Sequence, residues 1–268
     1  MKDFSITTPG RALAFLITCS LFAAAADAQT SRAEAPRKPV VVELFTSEGC
    51  SSCPPADVLL QKLEADQPVP GAQVIALEEH VDYWNHDGWV DPYSSPEWTD
   101  RQQNYVSLIK KDPYTPELVV DGQFQFVGNN PRDAVVEIQE AARAKKTEVS
   151  ITPADTDAKG ARFNVSVGRL AEDTTGDVAE VWLAVTEDGL HSAVSRGENA
   201  GRELNHVATL RWLHKIGTAG NSSPVSYTGD PVVKLNSHWN VENLHATIFV
   251  QKKKSRHIIG AASTKIKR

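Results

Sequence analysis

The sequence predicts an α/β domain, built on a four-stranded mixed sheet with a helical insertion, followed by a mostly antiparallel β-sandwich. Three observations carry this expectation. The apolar run Val40-Val41-Val42-Glu43-Leu44-Phe45 leads through a tight turn into Val58, Leu59, Leu60 and Leu63, which are spaced for one face of a helix. Strand and helix patterns then alternate as far as about Lys146. Beyond it the texture changes to short β-like runs separated by turn-rich stretches, the signature of antiparallel layers.

Taken in order, residues 1–28 read as a secretory signal. Lys2 and Arg11 supply positive charge, Ala12 to Ala26 is almost wholly apolar or small, and Ala26-Asp27-Ala28 is an A-x-A cleavage site. The apolar stretch is short of the roughly 20 residues a membrane-spanning helix needs. Cys19 lies inside it behind Thr18, so it does not read as a lipid-anchor cysteine. The expected product is periplasmic or secreted, without stable membrane insertion. Residues 29–38 are polar and read as a flexible lead-in.

The α/β domain is expected over residues 39–146. Its elements are a strand at 40–46, a helix at about 53–65, a buried strand at 73–77, and a helix opened by Ser95-Pro96-Glu97. Asp121-Gly122 between Leu118-Val119-Val120 and Phe124-Gln125-Phe126-Val127 signals a hairpin. A last helix starts at Asn130-Pro131. The sandwich is expected over 147–268, with alternation clearest at Phe163, Val165 and Val167 against Arg162, Asn164 and Ser166.

Charge excludes one class of partner. With 28 Lys and Arg against 34 Asp and Glu the net charge is −6, and Lys252-Lys253-Lys254 is the sole basic block. A phosphate backbone would need far more positive charge than that, so no nucleic-acid partner is expected.

Chemistry concentrates at Cys50-Ser51-Ser52-Cys53. Outside the leader these are the only cysteines. A bridge spanning so few residues closes almost no loop and stabilises little, whereas exported proteins usually place cysteines in structural bridges. The pair therefore reads as a redox dithiol: Cys50, at the helix N-terminus, as the exposed nucleophile and Cys53 as the resolving thiol. Two thiolates can equally bind a soft metal.

Val42 to Cys53 resembles the opening of a domain of the thioredoxin and glutaredoxin superfamily, and Thr115-Pro116 ahead of the hairpin resembles that superfamily's cis-proline segment. By that resemblance Pro116 is cis, and Thr115 and Pro116 shape a substrate groove against the CxxC. More narrowly, Cys50-Ser51-Ser52-Cys53-Pro54-Pro55-Ala56-Asp57, His80-Val81-Asp82-Tyr83-Trp84 and Gly197 to Arg202 resemble a family of exported thioredoxin-like proteins of unassigned function. Glu78-Glu79, ahead of His80, is more acidic than that pattern.

His80 and Asp82 follow the second strand, at the sheet end where Cys50 follows the first, and such ends gather ligands in open α/β sheets. His80 has three readings: a proton carrier for thiol exchange, a third ligand beside Cys50 and Cys53, or a hydrogen-bonded loop residue. Glu43, mid-strand and near the CxxC, is either a carboxylate with a raised pKa or a satisfied ion pair. His191, His206, His214, His238 and His245 show no metal-motif spacing, and Gly197 to Arg202 is a binding loop or a tight turn.

Two functions follow. The first is an exported thiol–disulfide oxidoreductase, without cofactor, exchanging Cys50-Cys53 with protein or small-molecule thiols and disulfides. The alternative is copper binding or delivery through Cys50, Cys53 and His80.

Overall fold

A computed structural model describes residues 1–3, 5, 36–157, 160–171, 174–220 and 224–267. The chain divides into two units, Met1–Glu34 and Ala35–Arg268, and the fold below is that of the second. The expected cleavage site lies outside the described residues, as does all of the signal peptide except 1–3 and 5. Among the described residues no helix is long and apolar enough to cross a membrane.

The elements run β1 (Lys38–Thr46), α1 (Pro54–Asp66), β2 (Ala72–His80), α2 (Pro96–Ile109), β3 (Glu117–Val120), β4 (Phe124–Val127), α3 (Pro131–Arg143), β5 (Val149–Thr156), β6 (Ala161–Gly168), β7 (Ala179–Glu187), β8 (Leu190–Ala193), β9 (Glu203–His206), β10 (Thr209–Ala219), β11 (Val225–Gly229), β12 (Val232–Val233), β13 (Leu244–Lys252) and β14 (Ile258–Lys265). Local signals explain the helix starts. Ser95 Oγ accepts from Glu97 N, and Asn130 Oδ1 accepts from Arg132 N and Asp133 N. Pro54 and Pro55 occupy the first turn of α1, where a missing N–H breaks no helical bond.

The predicted fold class is overturned. Of the described residues 41% are strand against 19% helix, and eight strands form one continuous sheet in the order β14-β13-β7-β10-β2-β1-β3-β4. The two predicted domains share that sheet. β10 pairs in parallel with β2 at Thr209–Glu78, and Glu78 N donates to the Ala208 carbonyl at 2.9 Å. The cause is the outer edge of β2, whose unpaired backbone groups find partners in a strand from the second half of the chain. A sandwich separate from a thioredoxin-like domain is thereby excluded.

Period-two alternation sorts the side chains of β1. Val40, Val42 and Leu44 join Leu60, Leu63 and Ile138 under α1 and α3. Val41 faces the other way, with Ile75, Leu77, Phe249 and Trp98 of α2. The small sheet, in which β6 pairs with β5, β11 and β12, packs Phe163, Val165 and Val167 onto Val181, Leu183, Ile248 and Val250 of the large sheet. Each fully buried Leu, Ile, Val or Phe contributes about 1.5–3 kcal/mol of transfer free energy. At the β3–β4 turn, Asp121 and Gly122 have φ of 47° and 68°. A Cβ on Gly122 would collide with the carbonyl of Arg256, so glycine there lets the hairpin close against the β13–β14 turn.

Candidate functional site: a covered disulfide above a buried His–carboxylate cluster

The dithiol sits at the C-terminal end of β1. Cys50 N donates to the Ser47 carbonyl at 3.1 Å to close the turn, and Cys53 is the N-cap of α1. Cys50 and Cys53 are joined as a disulfide with Cα atoms 5.4 Å apart. Cys50 Sγ lies 3.4 Å from Ser52 Oγ. Because Pro54 and Pro55 lack N–H groups, the first turn of α1 presents fewer free donors to an anion than an ordinary helix start.

The expectation of an exposed Cys50 is corrected: Cys50 and Cys53 are both 0% exposed. The distant segment Gly197 to Arg202 is bonded to the loop that carries them. Asn199 Nδ2 donates to the carbonyls of Glu48 at 2.8 Å and Cys50 at 2.9 Å, while Ser51 N donates to Glu198 Oε2 at 3.1 Å. Gly197, at φ 74°, approaches Asp87 and Trp89 closely enough that a Cβ would touch both. The segment is thus a turn that also binds, and what it binds is the dithiol loop.

The Thr115–Pro116 bond is cis, as the resemblance implied. Trp84 links it to the dithiol loop: its Nε1 donates to Thr115 Oγ1 at 2.8 Å, and its Cβ lies against Gly49. Pro116 is buried, and a Cβ on Gly128 would meet both Pro116 and Ala56 of α1.

The remaining candidates separate. Glu43 is a buried ion pair: Arg101 Nε donates to its Oε1 at 2.5 Å and Tyr105 Oη to its Oε2 at 2.6 Å. Asp82 ties its loop to α2, accepting from Thr99 Oγ1 at 2.6 Å. His80 does lie at the dithiol end of the sheet, opposite Thr46 in the β1–β2 register. Its grouping, however, is with Glu78 and His206, whose ligand atoms all fall within 4.8 Å of one another. Glu64, Asp188 and His245 form a second such group, half-buried.

The His80 cluster lies wholly inside the protein. His80 Nδ1 is 2.7 Å from Asp91 Oδ2, which also accepts from Glu48 N at 2.8 Å. His206 stands between Glu78 Oε1, 3.2 Å from its Nδ1, and Glu48 Oε1, 3.1 Å from its Nε2. Thr209 Oγ1 donates to Glu78 Oε2 at 2.9 Å. Burial alone would raise the Glu78 carboxyl, but His206 and His80 outweigh it and hold the group at about 2. Burial would likewise lower His206, yet Glu78 and Glu48 lift it to about 9. Asp57, on α1, is raised to about 7 by burial and then by Glu78. From sequence His206 was only one of five histidines without metal-motif spacing and Asn199 only part of the Gly197–Arg202 loop, while Glu48 and Asp91 were not named as site residues. The signal that pointed toward them was the acidic Glu78-Glu79 pair beside His80, an expensive choice for a buried strand.

A disulfide one helical turn long, tied to a loop from the far half of the chain and lying near buried histidines and carboxylates, marks the chain as a CxxC disulfide protein. Residues 41–251 match the family described as "Protein of unknown function (DUF1223)", and the chain belongs to that family. Its fold is similar to the crystal structure of protein AGR_C_4864 from Agrobacterium tumefaciens, at 22% identity and a TM-score of 0.64, over 87% of this chain and 96% of that one. It is also similar to HBP35 of Porphyromonas gingivalis, at 17% identity and a TM-score of 0.65, over 87% of this chain and 76% of that one. No curated protein matches.

Proposed function

We propose that the protein is an exported thiol–disulfide oxidoreductase, related at its dithiol to the thioredoxin superfamily, in which the 197–202 loop gates the reactive pair. The observation that carries the reading is the Cys50–Cys53 disulfide itself, closed across one turn at the start of α1. The cis Thr115–Pro116 segment, one side chain away through Trp84, supports it as the floor of a substrate groove.

Covered sulfurs require the gate to lift. Its polar attachments to the dithiol loop include, among the described residues, two hydrogen bonds from Asn199 and one from Ser51 N to Glu198. At a net value of about 1 kcal/mol each, opening costs a few kcal/mol, below the 5–15 kcal/mol of global unfolding. Local opening is then frequent while the fold stays intact.

With the gate open, exchange balances as follows. A substrate thiolate attacks Cys50 Sγ, the Cys50–Cys53 bond breaks, and Cys53 leaves as a thiolate. The second substrate thiolate then attacks the mixed disulfide and releases Cys50. The substrate dithiol is oxidised by two electrons, and the protein pair is reduced and takes up two protons. Run backwards, the same steps reduce a substrate disulfide, so the partner's potential sets the direction.

The test is exchange with a model dithiol and with insulin as a model disulfide. Turnover that disappears in Cys50→Ser supports the assignment. Full turnover in Cys50→Ser, or none in the native protein, contradicts it. The copper reading lacks its third ligand, because His80 groups with Glu78 and His206 and pairs its Nδ1 with Asp91, and no contact of its ring with the sulfurs is found among the described residues.

A further inference from the structure

We infer that Glu78, His80 and His206 form a binding site for a divalent transition-metal ion, with zinc the best match. The donor spacing is the first reason. Glu78 Oε2 lies 3.4 Å from His80 Nε2, and Glu78 Oε1 lies 3.2 Å from His206 Nδ1. Two donors on a tetrahedral zinc, each bonded at about 2.0–2.1 Å, stand roughly 3.3 Å apart. Each imidazole thus has one Glu78 oxygen at ligand separation, Oε2 for His80 and Oε1 for His206, and the ring centroids are 4.6 Å apart.

The second reason is an orphaned donor atom. His80 is 0% exposed, and its Nε2 has no hydrogen-bond partner, being poorly aligned with Glu78 although close to it. That nitrogen loses hydration and gains only the 3.4 Å ion-pair contact with Glu78 in return. Coordination supplies what is missing.

The third reason lies behind the ligands. Metal-binding histidines present one nitrogen to the ion and hold a carboxylate or carbonyl on the other, which fixes ring orientation and strengthens the ligand. Both histidines have this arrangement. Asp91 sits on His80 Nδ1 at 2.7 Å, away from Glu78, and Glu48 sits on His206 Nε2 at 3.1 Å, again away from Glu78. The two nitrogens that face the Glu78 carboxylate are thus the ones placed to bind, His206 Nδ1 exchanging its 3.2 Å hydrogen bond with Glu78 Oε1 for the ion. Thr209 Oγ1 orients the carboxylate in turn, donating to its Oε2 at 2.9 Å.

Two imidazoles and a carboxylate suit a borderline ion such as zinc, and not magnesium or calcium, which prefer oxygen alone. The half-buried Tyr93 ring lies 5.5 Å from His80 and 5.6 Å from His206 and packs edge-on against both imidazoles. The cluster of Glu64, Asp188 and His245 is a weaker candidate: it is partly exposed and carries no orphaned donor.

The experiment uses the chelator-treated full chain, in native form and as Cys50→Ser/Cys53→Ser. Zinc content by elemental analysis is expected to reach one equivalent in both, with a rise in Tm on loading. Cobalt(II) should give visible d–d bands without thiolate-to-metal charge transfer. His80→Gln and His206→Gln, checked for folding by circular dichroism, should each lose stoichiometric uptake, and Asp91→Asn should weaken it by about 10–100-fold. If a variant does not fold, the cobalt spectrum of the double serine protein decides alone. No uptake by the native chain, uptake lost in the double serine protein, or uptake unchanged in a folded His206→Gln would overturn the site. The double serine protein lacks the Cys50–Cys53 pair, so a failed thiol assay and a failed metal assay are told apart.

Discussion

Asn199 reaches across 149 residues of sequence to donate from one Nδ2 to the carbonyls of both Cys50 and Glu48, at 2.9 and 2.8 Å. Its own Oδ1 has no partner. The amide thus ties the 197–202 loop to the dithiol loop, and the proposed gating requires that tie to be released at modest cost. In Asn199→Ala the two bonds are gone, worth about 2 kcal/mol together, and the gate should open roughly 30-fold more often. The rate at which dithiothreitol reduces Cys50–Cys53 should rise by a similar factor, and an unchanged rate would mean that the loop does not control access.

Arg101 of α2 neutralises the opposite face of the sheet. It donates to Glu43, lies 3.4 Å from Glu79, and passes over the Tyr105 and Phe249 rings. Burial raises the Glu79 carboxyl well above its ordinary value, with Arg101 pulling the other way. Arg101→Met removes the one cation and leaves two buried carboxylates, so urea denaturation should show a loss of about 3–5 kcal/mol. Adding Glu43→Gln should recover part of it, since the pair is coupled. A loss under about 1 kcal/mol would show that the ion pair is not needed.

Glu117, beside Pro116, gives the stability a pH dependence. Its Oε2 accepts from Gln102 Nε2 at 2.8 Å, its Oε1 has no partner, and burial pushes the carboxyl from 4.5 to about 7 despite the Gln102 bond. A folded value above the unfolded one means that the native state holds its proton longer. Glu117's contribution is therefore fully present below about pH 4.5 and is lost as pH rises toward about 7. The stability difference between the native chain and Glu117→Gln should fall by on the order of 1–3 kcal/mol across that window. A difference that stays flat with pH would place Glu117 in an ordinary solvated environment.

Local elements were readable and their long-range partners were not. The strands at β1 and β2, the caps Ser95 and Asn130, the Asp121-Gly122 hairpin and the proline-led helices all follow from residues within a few positions of each other. The merger of the two halves depends on Thr209 pairing with Glu78, and no periodicity records which strand covers an open edge. The same limit applies to the site. Cys50, Cys53, Thr115, Pro116 and His80 were visible as motifs. Asn199 and His206 belong to the site only because the large sheet brings β9 and the preceding loop over the end of β1 and β2. Glu43 and Asp82, chosen for their nearness in sequence to the CxxC and to His80, are consumed by Arg101 and Thr99.

The central claim is that the covered Cys50–Cys53 pair exchanges with external thiols while the protein remains folded. A redox titration of the full chain, with the cysteines trapped and counted by mass spectrometry and folding followed by circular dichroism, tests it directly. The account predicts a midpoint above about −300 mV, with the dithiol and disulfide forms equally folded. A midpoint below about −300 mV, or reduction that appears only as the chain unfolds, would make this a structural bridge and contradict it.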